Sequence, residues 1–238
     1  MKTYRIHFIR HGLTKDNIDG VYSGRSDTPL CDEGKQQIID MKQEYTYPEV
    51  SFVFSSPLKR CRETAELIYP DIKPIIMDEL TEYDFGEFEG KTAAELHEKQ
   101  PLFDRWLKGE PGVKPPFGES NEDFASRVCR SFCKIVDGII KTGTTDIAIV
   151  THGGVISTIL ANFGIPEASV SDWLTPSGCG YTALISHFLW MSGRKFEVTK
   201  EIPTITGEEA AGNYYDGWDY YPNDDDFDIS EYLADFND

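Results

Sequence analysis

Tyr4-Arg5-Ile6-His7-Phe8-Ile9-Arg10-His11-Gly12 is an apolar, β-like run that ends in an arginine, a histidine and a glycine. A second run of the same kind, Ile147-Ala148-Ile149-Val150, ends in Thr151-His152-Gly153-Gly154. Two short strands therefore each carry a histidine, followed by glycine, to their carboxyl end. In open α/β sheets that edge is where ligands are held. Two imidazoles beside an arginine point to covalent phosphoryl chemistry.

The strand signals continue outward from these two runs, at 51–55, 74–77 and 181–190, each rich in Ile, Val, Phe or Tyr. Helical signals alternate with them. One runs from Glu33 to about Tyr45 with Asp32 as cap. Another runs from Leu58 to Tyr69, after Ser55-Ser56-Pro57, where serine caps and proline suits the first helical position. A third opens at Ser120-Asn121-Glu122-Asp123, a variant capping box, and runs to about Lys141. Val155 to Phe163 makes a short helix stopped by Gly164 and Pro166. Strands separated by helices predict a three-layer α/β/α sandwich around a mostly parallel sheet. Residues 90–118, with short helical pieces and Pro111, Pro115 and Pro116, read as an insertion over the sheet edge.

The chain has 238 residues, 39% hydrophobic and 27% charged, in the range of a soluble globular protein. No stretch approaches the roughly 20 apolar residues that span a bilayer. The N-terminus enters a strand directly, so no signal peptide is expected and the cytoplasm is the expected location. Five cysteines at 31, 61, 129, 133 and 179 lack a C-x-x-C pair and are expected to be reduced. Residues 207–238 hold eleven acidic residues, no Lys or Arg, and eight Tyr, Trp or Phe residues. They read as a C-terminal extension beyond a catalytic domain of residues 1–206, either docked on its own domain or a neighbouring subunit or a mobile extension, and in both cases carrying no chemistry. The net charge of −18 falls to −7 without them. Nucleic acid is not an expected partner, since phosphate-backbone binding needs a basic face. An anionic substrate has to be held by a local group of arginines working against the overall field.

His11 is the candidate nucleophile, because a neutral, oriented imidazole nitrogen attacks phosphorus readily. Arg10, the small Gly12, Thr14 and Asn17 surround that point with positive charge and donors. Arg60 falls in the first turn of a helix after a strand, where backbone N–H groups also favour an anion. A departing alkoxide needs a proton, and Glu82-Tyr83-Asp84-Phe85-Gly86-Glu87-Phe88-Glu89 offers four carboxyl groups to give it. Spacing alone does not choose among them. His7 and His187 are read as packed strand residues and His97 as solvent-facing. No carboxylate cluster has metal-ligand spacing, so neither a metal nor a cofactor is expected.

Five blocks in order make the chain resemble the histidine phosphatase superfamily, in its phosphoglycerate mutase-like branch. They are Arg10-His11-Gly12 with Thr14 and Asn17; Gly24-Arg25-Ser26-Asp27-Thr28-Pro29-Leu30; Ser56-Pro57-Leu58 with Arg60 and Thr64-Ala65; Glu82 with Phe85-Gly86 and Glu89-Gly90; and Gly118-Glu119-Ser120 followed by Thr151-His152-Gly153-Gly154. The resemblance covers about residues 4–190. It implies a phosphoglycerate mutase-like fold and a metal-independent phosphomonoester hydrolase acting through a phosphohistidine on a small phosphorylated metabolite. It also implies that His11 is phosphorylated and that Arg10, Arg60 and His152 bind the phosphoryl oxygens, with Asn17 as a further donor. Glu82 matches the proton donor, with Asp84 the second choice.

The chain departs from the family at Leu13, where Glu or Gln is usual, and at Cys61 and Glu63, where Ala and Gln are common. These departures bear on substrate identity. Gly90 and Gly118 are closer than in the mutases of this family, which favours water as acceptor over phosphoryl transfer to a sugar acid. Asp84 to Gly90 is similar to α-ribazole phosphatase-type members, so α-ribazole phosphate is a candidate substrate. Alternative readings are a mutase, or a non-catalytic member that binds phosphorylated ligands or partner proteins. A homo-oligomer is compatible with either.

Overall fold

A computed structural model of the protein describes residues 2–205. The expected C-terminal extension and its docking lie outside the described residues. The strands are β1 (Thr3–Arg10), β2 (Tyr45–Thr46), β3 (Phe52–Ser55), β4 (Ile75–Ile76), β5 (Asp146–Thr151), β6 (Gly164–Ile165), β7 (Gly180–Ser186), β8 (Phe196–Ile202) and β9 (Thr204–Ile205). The helices are α1 (Lys15–Asp19), α2 (Asp32–Glu44), α3 (Lys59–Ile68), α4 (Ala93–Lys99), α5 (Phe103–Leu107), α6 (Asn121–Thr142), α7 (Gly153–Phe163) and α8 (His187–Gly193).

Seven strands form one sheet in the order β4-β3-β5-β1-β7-β8-β6. β4, β3, β5 and β1 pair in parallel. β7 runs antiparallel to both β1 and β8, while β6 is parallel to β8, so a single strand is reversed. Alternation along the central strands divides the core between two faces. Ile6, Phe8, Ile147 and Ile149 join one buried cluster with Phe132 and Val136 of α6 and Ile156 and Leu160 of α7. Ile9, Val53, Ala148 and Val150 join the other with Ile38 of α2 and Cys61 and Ala65 of α3. A sheet apolar on both faces needs helices on both, and that gives the three layers.

Several local expectations are corrected. Residues 187–190 leave the strand and begin α8, because the Ser186 side chain accepts a hydrogen bond from the Leu189 N–H and caps the new helix. His187 is therefore a helical residue at the start of α8. The cap of α2 is Cys31, whose sulfur accepts from the Gly34 N–H at 3.3 Å, and Asp32 is the first helical residue. α3 begins after Leu58 with no side-chain cap from that residue, and Pro57 lies outside it. Ser120 caps α6 as expected, through the Asp123 N–H. Residues 90–118 do carry two short helices, α4 and α5. Phe103 and Trp106 of α5 pack on Tyr22, Phe85 and Phe88, tying the insertion to the loop that follows β4.

Candidate active site

Four parallel strands in the order β4, β3, β5, β1 end along one edge, and each delivers a piece of the site. Backbone hydrogen bonds carry the sheet just past its formal end: the His11 N–H reaches the Thr151 carbonyl at 2.9 Å and the Ser56 N–H reaches that of Val150 at 3.1 Å. These bonds hold the turns after β1, β5 and β3 side by side. The rings of His11 and His152 are brought to 5.2 Å between centroids, 67° apart, although 141 residues separate them in sequence. Both are buried.

The protonation of His11 follows from one hydrogen bond. Its Nδ1 lies 2.8 Å from the Gly12 carbonyl oxygen, which only accepts, so Nδ1 carries the hydrogen. Burial pushes the ring's pKa well below the usual histidine value, with the Arg60 and Arg10 guanidinium groups acting in the same direction. The ring is neutral at pH 7, and the lone pair is on Nε2. Gly12 also belongs to this arrangement: its N–H donates to Thr64 Oγ1 at 2.9 Å, and an added Cβ would stand 2.6 Å from Ile38 Cδ1.

Arg60 is buried on the first turn of α3. Its Nε donates to His152 Nδ1 at 3.2 Å, and its other nitrogens donate to the carbonyls of Ser26 at 2.6 Å and Gly24 at 2.8 Å. With Nδ1 accepting, the neutral His152 carries its proton on Nε2, which lies 2.9 Å from Ser56 Oγ. Burial, then Arg60, His11 and Arg10, depress the His152 pKa. Cys61 Sγ packs 3.4 Å from His152 Nε2, and burial pushes its thiol up to about 12, so it is a neutral neighbour of the ring. The N-terminus of α3, read from sequence as an anion site, is taken by the protein itself. Asp27 Oδ1 accepts the Lys59 N–H at 2.7 Å there.

The carbonyls that receive Arg60 are themselves held from the other side. Glu89 Oε1 accepts from the N–H groups of Gly24 at 3.0 Å and Arg25 at 2.5 Å, while Oε2 accepts from Ser26 N at 3.1 Å. The loop 23–26 is thus clamped with its N–H groups on a carboxylate and its carbonyls on a guanidinium. Arg10 donates to the Thr175 carbonyl at 2.7 Å and lies beside Gly153, where an added Cβ would be 3.5 Å from its Nε.

Glu82 is the carboxyl group of its segment that reaches the histidine turn. Its Oε2 accepts from the Gly154 N–H at 3.0 Å, two residues after His152, and its Oε1 from the Tyr83 N–H at 2.9 Å. Burial raises its pKa, against these two N–H bonds and the pull of Arg60 and Arg10. Asp84 turns away, accepting from the Gly86 N–H at 3.0 Å. The Glu82 backbone is held by Arg127, unnoticed in the sequence. Arg127 donates to the carbonyls of Glu79 and Thr81, both at 2.8 Å, and to that of Glu82 at 3.3 Å. It also pairs with Glu119 at 2.7 Å. Asn17 uses its side-chain oxygen within its own helix start. Its side-chain oxygen accepts from Thr14 N at 3.1 Å and Thr14 Oγ1 at 2.9 Å, completing the capping box of α1.

Arg10, His11, Arg60, His152 and Glu82 therefore converge, whereas Asn17 is engaged in capping. Two neutral imidazoles, one with a free nucleophilic nitrogen, two guanidinium groups and a raised carboxyl form a site suited to passing a phosphoryl group. Among the described residues no group of three or more His, Cys, Asp or Glu is placed to hold a metal, and no helix is long and apolar enough to cross a membrane.

The chain is similar to known proteins in both sequence and fold. The family model for the histidine phosphatase superfamily (branch 1) matches residues 6–190. An adenosylcobalamin/α-ribazole phosphatase of Salmonella typhimurium is 31% identical over 179 residues, covering 74% of this chain and 87% of the relative. A broad-specificity phosphatase of Saccharomyces cerevisiae is 29% identical, covering 66% of this chain and 68% of the relative. Among solved structures, the α-ribazole phosphatase from Shigella flexneri superposes with a TM-score of 0.71 at 26% identity, covering 86% of this chain and 99% of that one. A phosphoglycerate mutase from Thermus thermophilus gives a TM-score of 0.58 at 29% identity, covering 83% and 98%.

Proposed function

Because the chain belongs to the histidine phosphatase superfamily and is a phosphomonoester hydrolase working through a phosphohistidine, we propose that His11 carries the phosphoryl group. Its Nε2 attacks phosphorus and forms a P–N bond as the P–O ester bond breaks. Glu82, whose burial favours the protonated form, gives its proton to the leaving alkoxide. Arg10, Arg60 and His152 meet the charge on the equatorial oxygens. In the second half, the Glu82 carboxylate takes a proton from water, the water oxygen attacks phosphorus, the P–N bond breaks and inorganic phosphate leaves. Asn17 contributes a donor through its side-chain NH2, oriented by the capping box.

The substrate is a small phosphorylated metabolite, and the α-ribazole phosphatases among the relatives make α-ribazole 5′-phosphate our specific choice. The catalytic unit is residues 1–206, and the acidic aromatic segment 207–238 takes no part in the chemistry. The observation that carries the mechanism is the 2.8 Å bond from His11 Nδ1 to the Gly12 carbonyl, which fixes the free lone pair on Nε2. The direct test is rapid quenching with radiolabelled phosphate ester. Wild-type protein is expected to hold an acid-labile, base-stable label on His11, and His11→Ala to hold none and to lose turnover of p-nitrophenyl phosphate. Label on any other residue would overturn the assignment.

A further inference from the structure

Phe117 is 89% exposed, the most exposed large apolar side chain among the described residues. Its backbone is also left-handed, with φ at 61°. Among the described residues, the other non-glycine residue with positive φ is Arg194, which forms the C-cap of α8 and so has a structural reason. Phe117 caps no helix. A bulky residue there is strained relative to an ordinary conformation, and glycine would avoid the strain. Folding therefore gains nothing from a ring at this place: it is strained and faces water. Strain of that kind at a fixed position is a signature of function.

The turn that carries the ring is bonded to the segment that follows the proton donor. Pro115 and Pro116 precede Phe117, the Gly118 N–H returns to the Pro115 carbonyl at 2.9 Å, and the Glu87 N–H binds the Pro116 carbonyl at 2.9 Å. The Glu119 N–H binds the Asp84 carbonyl at 3.1 Å. Phe117 thus lies two residues from one end of that bond and Glu82 two residues from the other. Glu119 also meets Arg25, at 3.6 Å, from the loop that cradles Arg60. Gly24 of the same loop abuts the Tyr83 carbonyl so closely that a Cβ would stand 1.8 Å from it. The three turns are in contact with one another: 23–26, which cradles Arg60, meets both 83–86 and 115–119, and 83–86 directly follows Glu82, toward which the ester oxygen departs.

We propose that Phe117 is a specificity-determining residue, a stacking platform for a flat aromatic base on the substrate's leaving group. The proposal rests on the substrate reading above, since α-ribazole 5′-phosphate joins a benzimidazole base to its phosphorylated ribose. A planar base laid on the exposed ring gains a stack worth roughly tenfold or more in affinity, while an ester lacking the base gains nothing from it.

Steady-state kinetics of wild type, Phe117→Ala and Phe117→Trp on α-ribazole 5′-phosphate, adenosine 5′-phosphate and ribose 5-phosphate test this. Phe117→Ala is expected to raise KM for the α-ribazole ester about tenfold with little change in kcat, and to leave KM for ribose 5-phosphate unmoved. Phe117→Trp is expected to restore the lower KM. Phe117→Gly, which relieves the backbone, is expected to melt no lower than wild type, so that folding does not confuse the comparison. An unchanged KM in Phe117→Ala on an α-ribazole ester that wild type hydrolyses well overturns the platform and leaves the substrate reading standing. Preference for adenosine 5′-phosphate with the same Phe117 dependence supports the platform and overturns the named substrate. A wild-type protein that favours neither base-bearing ester over ribose 5-phosphate overturns both.

Discussion

At the scale of single residues, the site is a matter of where protons sit. His11 stays neutral until the pH is well below 6.5, and burial raises the pKa of Glu82 from its ordinary value. Catalysis needs both conditions, so kcat/KM is expected to form a bell. Its acid limb lies below pH 6.5, where His11 takes up a proton, and its alkaline limb lies above 4.5, where Glu82 loses one. Glu82→Gln is expected to remove the alkaline limb. It should also slow alkyl phosphates by about 100-fold or more, the usual worth of a general acid, and slow p-nitrophenyl phosphate far less, since nitrophenolate departs unaided. Equal slowing of both esters in a leaving-group series would assign the proton donor elsewhere. Both histidines, both arginines and, through the family resemblance, Glu82 were legible from the chain itself. Arg127 was not, because a guanidinium directed at backbone carbonyls leaves no side-chain pattern to read. Asn17 was legible as polar, but its capping bond to Thr14 competes locally with any ligand, and sequence does not rank the two.

At the scale of elements, the sequence read well wherever apolar periodicity was strong: β1, β5, α6 and α7 fell where expected. It failed where a single local bond decides. Ser186 ended β7 and began α8, and Asp27, distant in sequence, capped α3 where Ser55 and Ser56 looked adequate. β8 was missed because Phe196-Glu197-Val198-Thr199-Lys200-Glu201-Ile202 is largely polar and exposed between its buried ends. The clamp on loop 23–26 has a measurable role at this scale. Glu89→Gln replaces an acceptor oxygen with an NH2 facing N–H groups, and charge-assisted bonds of this kind are worth about 2 kcal/mol. The variant is expected to lower the melting temperature by several degrees and raise KM severalfold, as the carbonyls holding Arg60 lose their support. Calorimetry with parallel kinetics checks it, and an unchanged KM would show that Arg60 keeps its place without the loop.

At the scale of the whole molecule, His7 sets an acid limit on folding. It lies buried in mid-sheet on β1, its Nδ1 3.0 Å from Thr182 Oγ1, and burial lowers its pKa to about 4. Between about pH 6.5 and 4 the unfolded chain holds more protons on this ring than the folded one, so stability falls as pH falls through that window. The expected loss is on the order of 3 kcal/mol. Denaturant unfolding at about pH 7, 5.5 and 4.5 should show it, and His7→Asn should flatten the slope; an unaltered slope would shift the cause to other groups. The pairing of β1 with β5 bears on how activity returns to an unfolded chain. The nucleophile and its partner imidazole meet only because the first strand of the chain zips against one that begins at Asp146, across a separation of 141 residues. Local order in either half supplies no part of that meeting. Recovery of turnover after dilution from denaturant therefore reports that long-distance pairing, and a protein in which it has not formed is silent toward its ester.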